Sequence, residues 1–137
     1  KALQWVALGS NVFNAMIPVY PGVDKMPEYL SKAYVKPTTE NFYWVNRIIG
    51  ALADAHFYEN QSNIERYQLS VDRKLYEMIR KFDQEFQEKE PEDKKAFFEA
   101  ANQEISDFIQ EKTTELLDKV LFTSSCLMKN GFSRSDA

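Results

Sequence analysis

Two residue types in this chain could carry polar chemistry outright. His56 is the only histidine, with Asp54 and Glu59 close in sequence, and Cys126 is the only cysteine, in "TSSCLMKNG". A histidine beside carboxylates serves as a general base or a metal ligand, and a cysteine becomes a nucleophile where a base supports its thiolate. The surrounding pattern supports neither role. A hydrolytic zinc site wants more His or Cys than one of each, and a carboxylate-bridged di-metal bundle wants two Glu-x-x-His pairs, of which the chain has none. His56 is expected near a helix C-terminus as a cap or an edge-of-core residue. Cys126, late in a helix beside Leu127 and Met128, is expected to be a buried small hydrophobe. The dipole at a helix C-terminus also disfavours a thiolate.

The runs "QEFQEKEPEDKK" and "QEISDFIQEKTTE" supply many carboxylates, with Glu104, Asp107 and Glu111 on one face. Grouped carboxylates can bind metal or move protons, but interleaved with Lys on amphipathic helices they read as a solvated face. Ser124 and Ser125 lack a G-x-S-x-G context, and the four glycines fall in no phosphate-binding spacing. The aromatic run "NFYWVNR" places Phe42, Tyr43 and Trp44 in succession. On a helix these point about 100° apart and cannot stack on one ligand, so Trp5 and Trp44 are expected to join strand to helix. No catalytic, cofactor-binding or metal-ligating residue is assigned.

The elements that would position these residues are lopsided. "ALQWVAL" (2–8) and "VFNAMIPV" (12–19) read as strands around the turn residues Gly9, Ser10 and Asn11, apolar on both faces. Such strands belong in a sheet covered on both sides. Residues 20–39 hold three of the five prolines and read as a long loop or short turns of helix. Thr38 or Thr39 can cap a helix over 40–57 with a stripe of Phe42, Val45, Ile48, Ile49, Leu52 and His56.

Ser62 and Glu65 form a capping box opening the next helix, whose stripe runs Ile64, Tyr67, Val71, Leu75, Met78, Ile79, Phe82 and Phe86. Its outer face offers Glu77 with Lys81 and Glu85 with Lys89 at i,i+4. Pro91 breaks this helix and suits the first position of a third. The third stripe runs Phe97, Phe98, Ala101, Ile105, Phe108, Ile109, Leu116, Val120 and Leu121, with Lys129, Asn130 and Gly131 as its end. Two such helices joined by a short link form an antiparallel hairpin over 62–130.

An isolated two-stranded hairpin is marginal in water. The strands therefore need helices laid on them, or a sheet supplied by further polypeptide. The class is α+β: a mostly helical fragment of two N-terminal strands and three helices. Residues 1–39 form its strand-and-loop part and 40–137 its helical part.

Bulk properties exclude several functions. The chain has 137 residues, 44% hydrophobic and 14% aromatic, enough for one packed domain. Residues 1–60 are neutral, so the net charge of −4 lies entirely in the acidic second half. That half lacks the basic stripe of a nucleic-acid surface. No run has the length to span a bilayer and no signal-peptide pattern occurs. A lone cysteine permits a cytoplasmic home.

The segments "LQWVALGSNVFNAMIPVY", "TTENFYWVNRIIGALADAHF" and "ERYQ", in that order, resemble the C-terminal part of the dipeptidase A family of bacterial peptidases, which are N-terminal-nucleophile hydrolases. The resemblance covers most of residues 2–82, and neither of its most specific pieces is a catalytic motif. It implies a four-layer αββα core with residues 2–19 among its later strands. It also implies metal-free cleavage of dipeptides by a cysteine at the mature N-terminus, whose α-amino group serves as base. Lys1 stands first here and Cys126 lies in a different context, so no catalytic residue carries over. The chain is then expected to be inactive alone. Its partners would be the missing N-terminal catalytic portion, the parent's dipeptide substrates and further copies in a homo-oligomer, with no nucleic acid and no membrane. The alternative is an independent helical interaction or oligomerisation module, with the long hairpin as contact surface.

Overall fold

The computed structural model describes residues 3–6, 16–31 and 36–128. Two short strands come first, β1 (Gln4–Val6) and β2 (Ile17–Val19), paired antiparallel with Trp5 opposite Pro18. Proline has no N–H to give, so the ladder bonds fall at the flanking pairs, Gln4 with Val19 and Val6 with Ile17. The N–H and C=O of Trp5 consequently turn toward the outer edge of β1, where no further strand pairs among the described residues. The expected turn at Gly9, Ser10 and Asn11 lies outside those residues.

From Tyr20 the chain runs over the helical layer. Gly22 has φ +78, a backbone state open to glycine without steric cost. A single helical turn, α1 (Glu28–Ser31), follows and buries Tyr29 and Leu30.

Helix α2 (Phe42–Ala55) buries Phe42, Val45 and Ile49 of its expected stripe and adds Ala53, while Ile48, Leu52 and His56 are half-buried. Its cap is Asn41 rather than Thr38 or Thr39. The Asn41 Oδ1 accepts from Trp44 N–H at 3.3 Å, and its Nδ2 donates to the Tyr29 carbonyl at 3.4 Å. Thr38 Oγ1 instead accepts from Glu40 N–H just ahead of the helix. One buried asparagine thus caps α2 and ties it to α1, which a threonine hydroxyl is too short to do.

Helix α3 (Phe57–Lys89) begins five residues ahead of the expected capping box, so Ser62 and Glu65 lie inside it. Only His56, at φ −138 and ψ 58, separates α2 from α3. Its carbonyl receives Asn60 N–H at 3.2 Å, which starts α3 without any Ser62 cap. Ile64, Tyr67, Val71, Leu75, Met78, Ile79 and Phe82 are buried along one stripe, as periodicity predicts. Glu90 ends the helix in the left-handed region at φ 44. Pro91 then sits in the link, because Asp93 is the cap of α4 and accepts from Ala96 N–H at 3.0 Å.

Helix α4 (Lys94–Leu127) returns antiparallel to α3. The pairs Lys81–Glu104, Tyr67–Thr113 and Asn60–Ser124 step down α3 while climbing α4, which fixes the register. At 33 and 34 residues the two helices each reach about 50 Å. The helix end expected at Lys129, Asn130 and Gly131 lies outside the described residues. Helix α4 is the central element, touching α1, α2, α3 and β2. Burial against several neighbours explains why its buried set includes Asn102, Ser106, Thr113 and Ser124 as well as apolar residues.

The surface charges differ in one respect from expectation. Lys81 reaches across the hairpin to Glu104 at 3.3 Å, and Glu77 pairs with Lys74 at 4.0 Å. Both pairs are well exposed, so each contributes little to stability.

Candidate functional site

His56 is half-buried in the joint between α2 and α3, with its backbone engaged at both ends: its N–H donates to Ala53 O and its carbonyl accepts from Asn60. Cys126 is exposed, which corrects the expectation of a buried small hydrophobe. The core-facing position near this end of α4 is Ser124, whose Oγ meets Asn60 Nδ2 at 3.3 Å and the Leu52 carbonyl at 3.5 Å. Two residues on, Cys126 is turned about 200° round the helix, toward solvent. Among the described residues no hydrogen bond joins His56 to Cys126.

The acidic face is likewise dispersed. Glu104 is held by Lys81, Asp107 accepts from Gln103 Nε2 at 2.9 Å, and Glu111 is exposed. No group of three His, Cys, Asp or Glu residues that could hold a metal ion occurs among the described residues. In the aromatic run, Phe42 enters the core while Tyr43 and Trp44 flank Arg47. The guanidinium lies 5.1 Å from the Trp44 ring and 5.7 Å from the Tyr43 ring, and donates to Tyr43 Oη at 2.9 Å. Trp5 does join strand to helix, its ring 5.2 Å from Tyr76 on α3.

Two arrangements emerge that single-residue reasoning missed. The first is a clamp on the segment after β2. The Asn102 amide accepts from Tyr20 N–H at 2.8 Å and donates to Tyr20 C=O at 3.0 Å. One turn earlier, Glu99 accepts from the N–H groups of Asp24 and Lys25, and Lys95 pairs with Asp24 at 3.3 Å. Tyr20 also stacks on Phe98 at 4.8 Å and donates to Asp83 at 3.4 Å. Burial and the Asp83 charge both push its phenol upward. The signal was an Asn and a Glu on otherwise apolar or Lys-paired turns of α4, and it names no partner by itself.

The second is a groove of about 680 Å³ between the strand ribbon and α3, lined by Trp5, Met16, Glu65, Gln68, Leu69, Asp72 and Tyr76. Leu69 and Tyr76 stand 69% and 58% exposed on it. Partial desolvation pushes the Asp72 carboxyl up from its ordinary value. On α3 these residues recur at i, i+3 and i+4, forming a second stripe beside the core one.

The architecture is therefore a mostly helical α+β piece: a two-stranded ribbon clasped to a layer of helices. The model of the family described as Peptidase family C69 matches residues 1–70, and the chain belongs to that family. It is 38% identical over 135 residues to a probable dipeptidase A of Streptococcus pyogenes (serotype M18), covering 98% of this chain and 28% of that protein. A dipeptidase of Bifidobacterium longum is 34% identical over 174 residues, covering 99% of this chain and 33% of the relative. Dipeptidase A of Lactobacillus helveticus is 30% identical over 129 residues, covering 92% and 26%. The chain thus spans a third or less of the length of these relatives. The match to a C-terminal portion of the dipeptidase A family agrees with the resemblance carried by the strand and α2 segments. No described helix is long and apolar enough to cross a membrane.

Proposed function

We propose that these residues are the C-terminal, non-catalytic part of a cysteine-type dipeptidase, whose N-terminal cysteine nucleophile lies outside them. The observation that carries this reading is the alignment of nearly the whole chain with a third or less of each of several dipeptidases. The site geometry supports it, since His56, Cys126 and the carboxylates are each held separately. In the proposed reaction the thiolate attacks the peptide carbonyl of a dipeptide and the amine departs. Water then releases the acyl group.

Residues 1–39 would add strands and the clamped segment to the αββα core, and 40–137 would support it as a helical layer. The enzyme would act in the cytoplasm on dipeptides. The test compares the full polypeptide with this mass-verified chain in a dipeptide hydrolysis assay. Activity in the former, abolished by thiol alkylation, and none in the latter is expected. Hydrolysis by the 137 residues alone would return the chemistry to Cys126 and His56.

A second reading, a self-associating helical module, draws on one observation. Near the end of the hairpin away from the α3–α4 link, Tyr58, Leu121, Phe122 and Met128 are 51–85% exposed, more apolar surface than a solvated hairpin end needs. Light scattering of the full polypeptide tests it: a monomer at micromolar concentration removes this reading.

A further inference from the structure

We propose that the groove between Trp5 and the Glu65–Tyr76 stretch of α3 seats an apolar, basic-flanked segment of the same polypeptide lying outside these 137 residues. The inference rests on the reading of the chain as part of a larger dipeptidase, and it specifies which surface the remainder covers.

Single exposed apolar residues are ordinary on a protein surface. Leu69 and Tyr76 differ because they stand two turns apart on one stripe of α3, facing the Trp5 ring across the groove with Met16 alongside. The core stripe of the same helix is already occupied by α4, and on this second stripe Tyr76 meets the Trp5 ring while Leu69 stays 69% exposed. β1 contributes Trp5 to the groove, and among the described residues no further strand pairs with the outer edge of β1.

The lining selects the occupant. A small-molecule site has a few convergent buried polar groups that fix orientation, whereas Glu65 and Asp72 here are exposed carboxylates on an open wall. Two like charges on one wall favour a cationic side chain between them, which gives the segment a Lys or Arg beside its apolar residues. That the segment belongs to the same polypeptide follows from the lengths. The chain covers only 28% of the S. pyogenes relative, so the larger part of such an enzyme lies outside these residues and is at hand to cover an open face of them.

The experiment uses the full polypeptide that carries this chain, with the photoreactive change Leu69→p-benzoylphenylalanine. After irradiation, the peptide containing position 69 is expected to be joined, within one molecule, to a peptide outside the 137 residues. An adduct between two copies, shown by mixing isotope-labelled and unlabelled protein, overturns the proposal in favour of self-association. An adduct confined to the 137 residues, or none at all, also overturns it. Adding Glu65→Lys and Asp72→Lys is expected to lower the adduct yield at least threefold, and an unchanged yield removes the basic flank. Dipeptide hydrolysis by the same preparation without the photoreactive residue is scored separately. Its absence sinks the enzyme reading, whereas the position of the adduct decides the groove.

Discussion

The side-chain amide of Asn102 satisfies both backbone groups of Tyr20, accepting from its N–H at 2.8 Å and donating to its C=O at 3.0 Å. A residue in the first third of α4 thereby takes the place of a neighbouring strand at the point where β2 ends. Asn102 is fully buried and Tyr20 nearly so, so neither backbone group has water to fall back on. Asn102→Ala leaves both unsatisfied, at about 1–3 kcal/mol for each buried group. Urea unfolding of the variant is expected to show a loss of about 2–4 kcal/mol with an unchanged denaturant slope. Asn102→Asp, which keeps the acceptor but removes the donor, is expected to be no better. A loss below 0.5 kcal/mol in Asn102→Ala would show that the clamp contributes little.

This clamp also marks where the sequence stops being legible. The long stripes were readable because burial on one helix face repeats every three to four residues, and Ile64 through Phe82 follow that rule without exception. The two-sided apolarity of β2 was readable too, since Pro18 is buried on one face as Ile17 and Val19 are on the other. Asn102 gave no such signal, because its meaning lies in a partner 82 residues away. Caps failed for a related reason. Ser62 and Glu65 satisfy the local pattern of a helix start, yet α2 passes into α3 through His56 alone. Tertiary packing then keeps the intervening turn helical. Cys126 was misplaced because a late-helix position beside Leu127 and Met128 suggests burial, while Leu127 and Met128 are themselves exposed.

Tyr67 is expected to make the fold sensitive to alkali. Burial pushes its phenol up to about 12 against the ordinary 10, and the Thr113 hydroxyl at 3.0 Å offsets only part of this. Burial shifts Tyr29 and Tyr20 in the same direction. A raised acid pKa means the folded state holds its proton longer than the unfolded state does. The associated stability is therefore complete below about pH 10 and is lost as pH climbs from about 10 to 12. Chemical unfolding across that range is expected to show a steady fall, amounting to about 3 kcal/mol at most for Tyr67. Tyr67→Phe is expected to flatten the fall. A slope that Tyr67→Phe leaves unchanged would assign the sensitivity elsewhere.

Ser106 is a candidate for a stabilising change. Its residue is fully buried in α4, and its Oγ has no hydrogen-bond partner. Ser106→Ala removes a desolvated hydroxyl at the cost of a one-atom gap, and alanine is the better helix former. The expected gain is about 0.5–1.5 kcal/mol, read as a higher urea midpoint. A lower midpoint would mean that the hydroxyl does find a partner in solution.

The end of α3 carries a second such position. Glu90 takes φ 44 and ψ 62, and its N–H donates to Phe86 O at 3.1 Å. A side chain in the left-handed region crowds its own backbone, whereas glycine does not. Glu90→Gly is expected to raise the melting temperature by roughly 2–4 °C. Glu90→Ala keeps the crowding and is expected to bring no comparable gain. If both variants melt alike, the left-handed cap is not the source of strain.

Cys126 separates exposure from reactivity. Its thiol is exposed near the end of α4 and turned away from Ser124, the side chain that faces the core there. A disulfide-exchange reagent is therefore expected to modify one thiol per chain in the native protein, with no further thiol released by denaturant. Because the side chain is exposed, Cys126→Ser is expected to change stability by less than about 0.5 kcal/mol. In the full polypeptide the same variant should retain dipeptide hydrolysis within about twofold, roughly 0.4 kcal/mol on the barrier. A loss of tenfold or more would place this thiol in the chemistry, and the nucleophile proposed to lie outside these residues would have to be sought at the end of α4 instead.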